Sequence, residues 1–201
     1  MAAPHDRPGG ENLGIRNMHV ETICQAHYAL RQATFEHRQL DGEWVAIKRE
    51  AYDRGNGAAA LLQNVERDTI LLVRQYRLPA HLNDHLDGML LEVPAGLLDD
   101  GEDAEDALRR ELQEEVGHTV GELHRLFQLY MSPGSVTEHL TFFVGEYTDD
   151  TRTSTGGGEA SEGEDLEIVE VLFAEALAMV ADGRICDAKT VILLGWSAAQ
   201  R

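Results

Sequence analysis

The sequence predicts an α+β fold with a mixed sheet between helices, and three observations lead there. Strand-like and helix-like segments follow one another without the regular strand–helix–strand rhythm of a parallel sheet. Asp103–Val116 repeats Leu108, Leu112 and Val116 every fourth residue, which is helical spacing. An apolar fraction of 43% over 201 residues is enough to fill a core, in one domain or in a core domain with a small N-terminal appendage.

The elements are expected in the following order. Residues 1–18 are polar, Gly/Pro-containing and without periodicity, which reads as a floppy leader. β-favouring stretches follow at Tyr28–Phe35 and Glu43–Arg49, joined by an Asp41-Gly42 turn signal. They predict a small antiparallel module of two or three strands over 19–55, too small to fold alone. Arg54-Gly55-Asn56-Gly57 breaks the pattern, and residues 56–201 form the main domain. Strands are expected at Ala58–Leu62, Thr69–Tyr76, within LLEVPAG (90–96), at Glu122–Tyr130, Leu140–Tyr147 and Leu166–Phe173. The helix over 103–116 ends at Gly117, where a C-terminal cap belongs. Thr148–Asp165 carries Gly156-Gly157-Gly158 and a cluster of acids, and reads as an exposed, mobile loop. Ala174–Asp182 and Lys189–Ala198 read as closing helices.

The formal charge of −19 argues against nucleic acid or an anionic membrane as partner. If such a chain handles phosphates, divalent cations must stand between the two polyanions. No apolar run approaches the roughly 18 residues of a membrane span, and the first ten residues lack the apolar stretch of a secretory signal. Cys24 and Cys186 are isolated and without metal-type spacing, as expected of buried free thiols in a cytoplasmic protein.

Chemistry concentrates in Gly96–His118. On a helix Glu111 and Glu115 stack on one face with Glu114 beside them, while Leu108, Leu112 and Val116 anchor the adjoining face. Like charges at this spacing cost about 0.2–0.5 kcal/mol per pair, and the helix dipole opposes anions at this end. Hard oxygen ligands on one face are what Mg²⁺ requires; an acidic, solvated helix face is the competing interpretation.

The window is similar to the Nudix box, G-x5-E-x7-R-E-U-x-E-E-x-G-U, with Gly96, Glu102, Arg110, Glu111, Glu114, Glu115 and Gly117 all in place and Leu112 at the first apolar position. A chance match is on the order of one in ten million windows, which decides against the plain acidic face. His118 departs from the final apolar position, a change expected to weaken local packing more than metal chemistry. The resemblance implies the α/β/α sandwich of the Nudix family and a Mg²⁺-dependent hydrolase, with Mn²⁺ as a substitute ion. It further implies that Glu111 and Glu115 bind the metal, with Glu114 as a further ligand or a supporting partner and the Ala95 carbonyl contributing. Arg110 orients the glutamates, supported by Glu102. Gly96 and Gly117 match turn glycines needing no further role.

Segments outside the box, among them KREAYDRGNGAAALL, VRQYR, LYMSPGSVTE and AKTVILL, resemble the sugar-nucleotide pyrophosphatases, and within them those acting on GDP-mannose. This branch implies a homodimer in which the N-terminal strands exchange, so that Lys48, Arg49 and Glu50 reach the neighbouring subunit's site. Arg77 would meet a phosphate or nucleotide edge, as a guanidinium suits. Ala95, Gly96 and Leu97 would line the substrate, Glu138 would contact it, and Lys189 would sit near the sugar nucleotide. In the acidic loop Glu164 aligns with a further metal ligand, and Glu162 stands where a general base is found in ADP-ribose hydrolases; Glu138 is a third candidate for that role. His27 and Tyr28 lie where an aromatic could stack on the base. ADP-ribose is the alternative substrate. A sugar-nucleotide sensor and an inert dimer module are the non-enzymatic readings, and the intact box disfavours the first.

Overall fold

The structure is a computed structural model and describes residues 14–85, 87–159 and 163–201. The chain divides into two compact units: the residues up to Arg54 together with Ser132–Thr137, and Gly55–Met131 together with Glu138–Arg201.

The first unit is an antiparallel meander of β1 (Ile15–Gln25), β2 (Ala29–Arg38) and β3 (Trp44–Asp53), in the order β1-β2-β3. The Asp41-Gly42 turn joins β2 to β3, with Gly42 at φ +93°. Ser132–Thr137 attaches at the end of β3: the Tyr52 N–H donates to the Ser135 carbonyl (2.8 Å) and the Thr137 N–H to the Tyr52 carbonyl (3.0 Å). The expectation of a leader as far as residue 18 is corrected, because Ile15–Met18 belong to β1. This strand hides from periodicity for a physical reason. A register shift between Arg16 and His19, with Asn17 at φ +54°, breaks the alternation. Ion pairing substitutes for burial: Arg16 bonds Glu36 (2.9 Å) and lies 4.1 Å over the Trp44 ring. Among the described residues of this unit only Ala29 is buried, so the sheet has no core of its own.

The second unit is a seven-stranded mixed sheet of β4 (Gly57–Asn64), β5 (Thr69–Tyr76), β6 (Met89–Glu92), β7 (Ala95–Leu97), β8 (Leu123–Tyr130), β9 (His139–Glu146) and β10 (Glu167–Leu172). Its order is β10-β5-β4-β9-β8, with β6 paired to β5 and β7 to β4; β4 and β9 run parallel and the other pairs antiparallel. A short helix α1 (Leu78–Leu82), which the sequence reading did not anticipate, follows β5. The helices α2 (Ala104–Glu115), α3 (Phe173–Ala181) and α4 (Ala188–Ala198) complete the unit.

β4 is apolar almost throughout because both its faces are covered. Ala58, Ala60 and Leu62 pack with Leu108 and Leu112 of α2 and with Val116 that caps it, and Ala59 and Leu61 pack with Phe173 of α3 and Leu193 and Leu194 of α4. The architecture is the expected helix–sheet–helix sandwich. His118 is buried rather than disruptive: its ring meets Tyr147 edge-on at 5.4 Å and its Nδ1 shares a 2.9 Å hydrogen bond with Thr151 Oγ1. The histidine thus packs as the apolar residue would, with its polar edge satisfied. Both cysteines are free, as expected, but exposed rather than buried, since Cys24 sits on coreless β1 and Cys186 in the turn before α4. Among the described residues no helix is long and apolar enough to cross a membrane.

Candidate active site

The site is built on α2 and the segments that grip its ends. Asp103 caps the N-terminus, its side chain accepting from the Glu105 N–H (2.8 Å), and Glu105 and Asp106 suit the positive end of the dipole. At the other end Glu114 and Glu115 face the negative pole with no basic residue in the last turn. The segment expected to be a mobile loop compensates, and that expectation is corrected for its first half. Gly157 and Gly158 donate their N–H groups to the Glu115 (2.9 Å) and Glu114 (3.0 Å) carbonyls, and Thr153 and Ser154 donate to the Gly117 carbonyl. The carbonyls a helix end leaves unpaired are thereby satisfied. Gly117 (φ +73°) has no room for a side chain, since a Cβ there would lie 2.4 Å from the Ser154 carbonyl oxygen.

Gly96 is likewise more than a turn glycine, which corrects the sequence reading. It lies within β7, opposite Ala58, and a Cβ on it would fall 1.9 Å from Glu111 Cδ. Its lack of a side chain lets Glu111 lie against the strand. Beside it, the Ala95 N–H donates to Glu115 Oε2 (3.0 Å) and orients that carboxylate, which is 2% exposed. Arg110 sits on the outer side, bonded to Glu111 (2.9 Å), Glu114 (3.4 Å), Glu102 (3.4 Å) and the Leu97 carbonyl (3.4 Å). Glu102 also accepts the Asp99 N–H (2.9 Å). Glu164 accepts the Glu159 N–H (3.0 Å) and packs on Gly158.

Burial, reinforced by the negative charges of Glu114 and Glu164, pushes Glu111 up to about 7 despite Arg110. Burial and the charges of Glu111 and Glu164 push Glu115 well above the usual carboxylate range. Glu111, Glu114, Glu115 and Glu164 stand close enough for their charges to interact, and of these Arg110 bonds only Glu111 and Glu114, leaving an excess of negative charge that a divalent cation would neutralise. Among the described residues no three His, Cys, Asp or Glu side chains are already gathered closely enough to hold a metal ion. The fit to such an ion lies in the hard-oxygen donors and the uncompensated charge. A polar cavity of about 450 Å³ opens alongside, lined by Arg110, Gln113, Glu114, Ser154, Thr155 and Glu159 among others.

A second cluster gathers at the end of β6. Arg77 makes two parallel hydrogen bonds to Glu92 (2.9 Å each), and Lys189 bonds the same carboxylate and Asp187 (3.1 Å). Burial alone would raise Glu92, but the hydrogen bonds of Arg77 and the charges of Lys189 and Arg77 hold it at about 2. The sequence reading named Arg77 and Lys189 but missed Glu92 and Asp187. The available signal was a lone charge inside the apolar run MLLEV. Glu138 is buried directly before β9. Lys48, Arg49 and Glu50 are exposed on β3 of the first unit, where Glu50 accepts from Gln32 (3.2 Å). There too, Tyr28 is engaged by the rings of His27 and Tyr52 and by the Arg54 guanidinium. Glu162 lies outside the described residues.

Residues 53–191 match the NUDIX domain family and residues 14–52 the GDP-mannose pyrophosphatase NudK N-terminal domain. The chain belongs to the Nudix family. It is 49% identical over 181 residues to a GDP-mannose pyrophosphatase of Klebsiella pneumoniae subsp. pneumoniae, covering 89% of this chain and 90% of that one. To a GDP-mannose pyrophosphatase of Escherichia coli O139:H28 it is 46% identical over 174 residues, covering 87% and 90%. Among solved structures, an ADP compounds hydrolase superposes with a TM-score of 0.68 at 25% identity, covering 90% of this chain and 93% of that one. As a Nudix pyrophosphohydrolase the chain carries every fixed residue of the box, and Gly96 and Arg110 have physical work to do within it.

Proposed function

We propose that this Nudix hydrolase cleaves the pyrophosphate of GDP-mannose, giving GMP and mannose 1-phosphate, in a Mg²⁺-dependent reaction for which Mn²⁺ is a substitute. The observation that carries the substrate is the 49% identity to GDP-mannose pyrophosphatases over nine-tenths of both chains. The charge balance of the site supports the metal. Glu111, Glu115, Glu164 and the Ala95 carbonyl would hold it, with Glu114 as a further ligand or support. When bound, the ion supplies Lewis acidity toward the diphosphate oxygens and neutralises their charge.

The chain's own residues do the rest. Glu164, Glu162 or Glu138 accepts the proton of the attacking water. Arg110 holds Glu111 and Glu114 in place. Ala95, Gly96 and Leu97 line the substrate, Arg77 takes a phosphate oxygen, and Lys189 and Glu138 complete the pocket. Lys48, Arg49 and Glu50 act across a homodimer, in the second copy's site. The coreless first unit supports this reading, since Met18, Val20 and Ile23 of β1 and Val45 of β3 are exposed and need a cover. The unpaired, exposed thiols suit a reducing cytoplasm.

ADP-ribose, giving AMP and ribose 5-phosphate, is the second reading, favoured by the likeness to the ADP compounds hydrolase. The deciding experiment incubates both substrates with the protein and Mg²⁺, alongside an EDTA control, and identifies the products. Dominant, metal-dependent GMP and mannose 1-phosphate are expected. Dominant AMP would move the substrate, and a Glu115→Gln variant with full activity would overturn the metal assignment.

A further inference from the structure

We propose that Glu92 is a positioning residue that locks Arg77 and Lys189 into one unit, so that Arg77 presents its remaining Nη1 donors to a phosphate oxygen of the substrate. The inference deepens the reading above and rests on it for the identity of the phosphate ligand.

Glu92 ends β6 and is 1% exposed, in a strand whose other residues are apolar. An isolated carboxylate at that depth is strongly disfavoured, and two cations accompany it here. Arg77 supplies Nε and Nη2, the paired edge of its guanidinium, at 2.9 Å each. The Arg77 backbone is fixed as well, its N–H donating to the Gly88 carbonyl (2.8 Å). Lys189 bonds Glu92 from the first turn of α4 and shares Asp187 (3.1 Å). Asp187 in turn accepts from the Thr190 N–H (3.0 Å) and hydroxyl (2.6 Å), and the Thr190 oxygen accepts the Val93 N–H (2.8 Å). One continuous set of bonds therefore ties the end of β5, the end of β6 and the start of α4. With two cations and two carboxylates the set is neutral.

What is left over points to function. Arg77 keeps 38% of its side chain exposed, and among the described residues no acceptor engages its Nη1. Its anchor Glu92 stands three residues before Ala95, whose N–H bonds Glu115, so the strand end that holds Arg77 continues directly into the carboxylate site. A flexible arginine beside so many carboxylates would collapse onto the nearest one. Glu92 prevents this by occupying two N–H groups and leaving the opposite edge free. Rigid presentation is what turns a charge into an oriented phosphate contact.

The test is calorimetric binding of methylenediphosphonate, a non-hydrolysable phosphate pair with neither nucleoside nor sugar, in the presence of Mg²⁺. Losing a charge-assisted contact predicts roughly ten- to a hundred-fold weaker binding by Arg77→Ala, with Glu92→Gln close behind. The double variant should be no weaker than Arg77→Ala alone, because Glu92 acts through Arg77; a merely structural role would make the losses add. Arg77→Lys keeps the charge and serves if Glu92→Gln does not fold. A lysine whose single nitrogen is held by Glu92 has no second nitrogen to extend to a phosphate as Nη1 does, so it should bind as poorly as the alanine variant. Wild-type affinity in Glu92→Gln or in Arg77→Lys, additive losses, or no effect of Arg77→Ala would each overturn the proposal. If the wild-type protein fails to cleave GDP-mannose while these binding effects hold, the substrate reading falls and the role of Glu92 stands.

Discussion

Replacing Gly96 with alanine should separate activity from stability. The added Cβ would lie 1.9 Å from Glu111 Cδ, 2.1 Å from its Oε1 and 2.2 Å from its Cγ. Ordinary contact begins near 3.4 Å, so the carboxylate must withdraw by about 1.5 Å, roughly three times the tolerance of a working site. Misplacement by about 1 Å costs on the order of a hundred-fold in rate, and we expect kcat/KM to fall by at least that much. Stability should change little. Gly96 sits in extended backbone paired to Ala58, and what must move is the end of a flexible side chain. The assay combines steady-state hydrolysis across a Mg²⁺ titration with thermal unfolding in EDTA. Activity within about three-fold of wild type would refute the claim that Gly96 exists to seat Glu111. Global unfolding would show instead that the glycine serves the packing of β7.

Glu92 should be visible in acid. Its folded pKa of about 2 lies below the ordinary 4.5, so its contribution is present above pH 4.5 and is lost as pH falls through 2. That contribution is about 3 kcal/mol, and urea midpoints between pH 7 and pH 2.5 should show a shallower decline in Glu92→Gln than in wild type. Gly117→Ala forces a Cβ onto the Ser154 carbonyl at φ +73°. It should cost about 1–2 kcal/mol of backbone strain and, by shifting the segment that carries Glu164, lower activity; an unchanged denaturation midpoint would refute this. Leu112→Ala empties a fully buried position between α2 and the sheet and should cost about 2–5 kcal/mol in chemical denaturation.

Local physics made much of this protein legible in the amino-acid sequence. The four-residue repeat of Leu108, Leu112 and Val116 specified α2, its caps fell at Asp103 and Val116, and the spacing of Gly96 through Gly117 placed three glutamates on one helix face. β5 could be read at its own limits because its β-favouring run opens directly after the turn at residues 65–68 and closes two residues before Leu78 and Pro79 begin α1. These features depend on residues close along the chain, whose periodicity survives without knowledge of what they touch.

What depends on distant partners was decided by the tertiary structure alone. β1 is held by its pairing along β2, from Ile15 opposite His37 to Gln25 opposite Ala29, with the Arg16–Glu36 ion pair beside it, and a bulge erased its alternation. The Gly156–Gly158 stretch is held because an acidic helix end, some 40 residues earlier, needs its carbonyls satisfied. Glu92 became the centre of a neutral network only when Lys189, 97 residues on, folded against it. A carboxylate in an apolar strand announces that it must be paired, but only the folded chain brings it the partner.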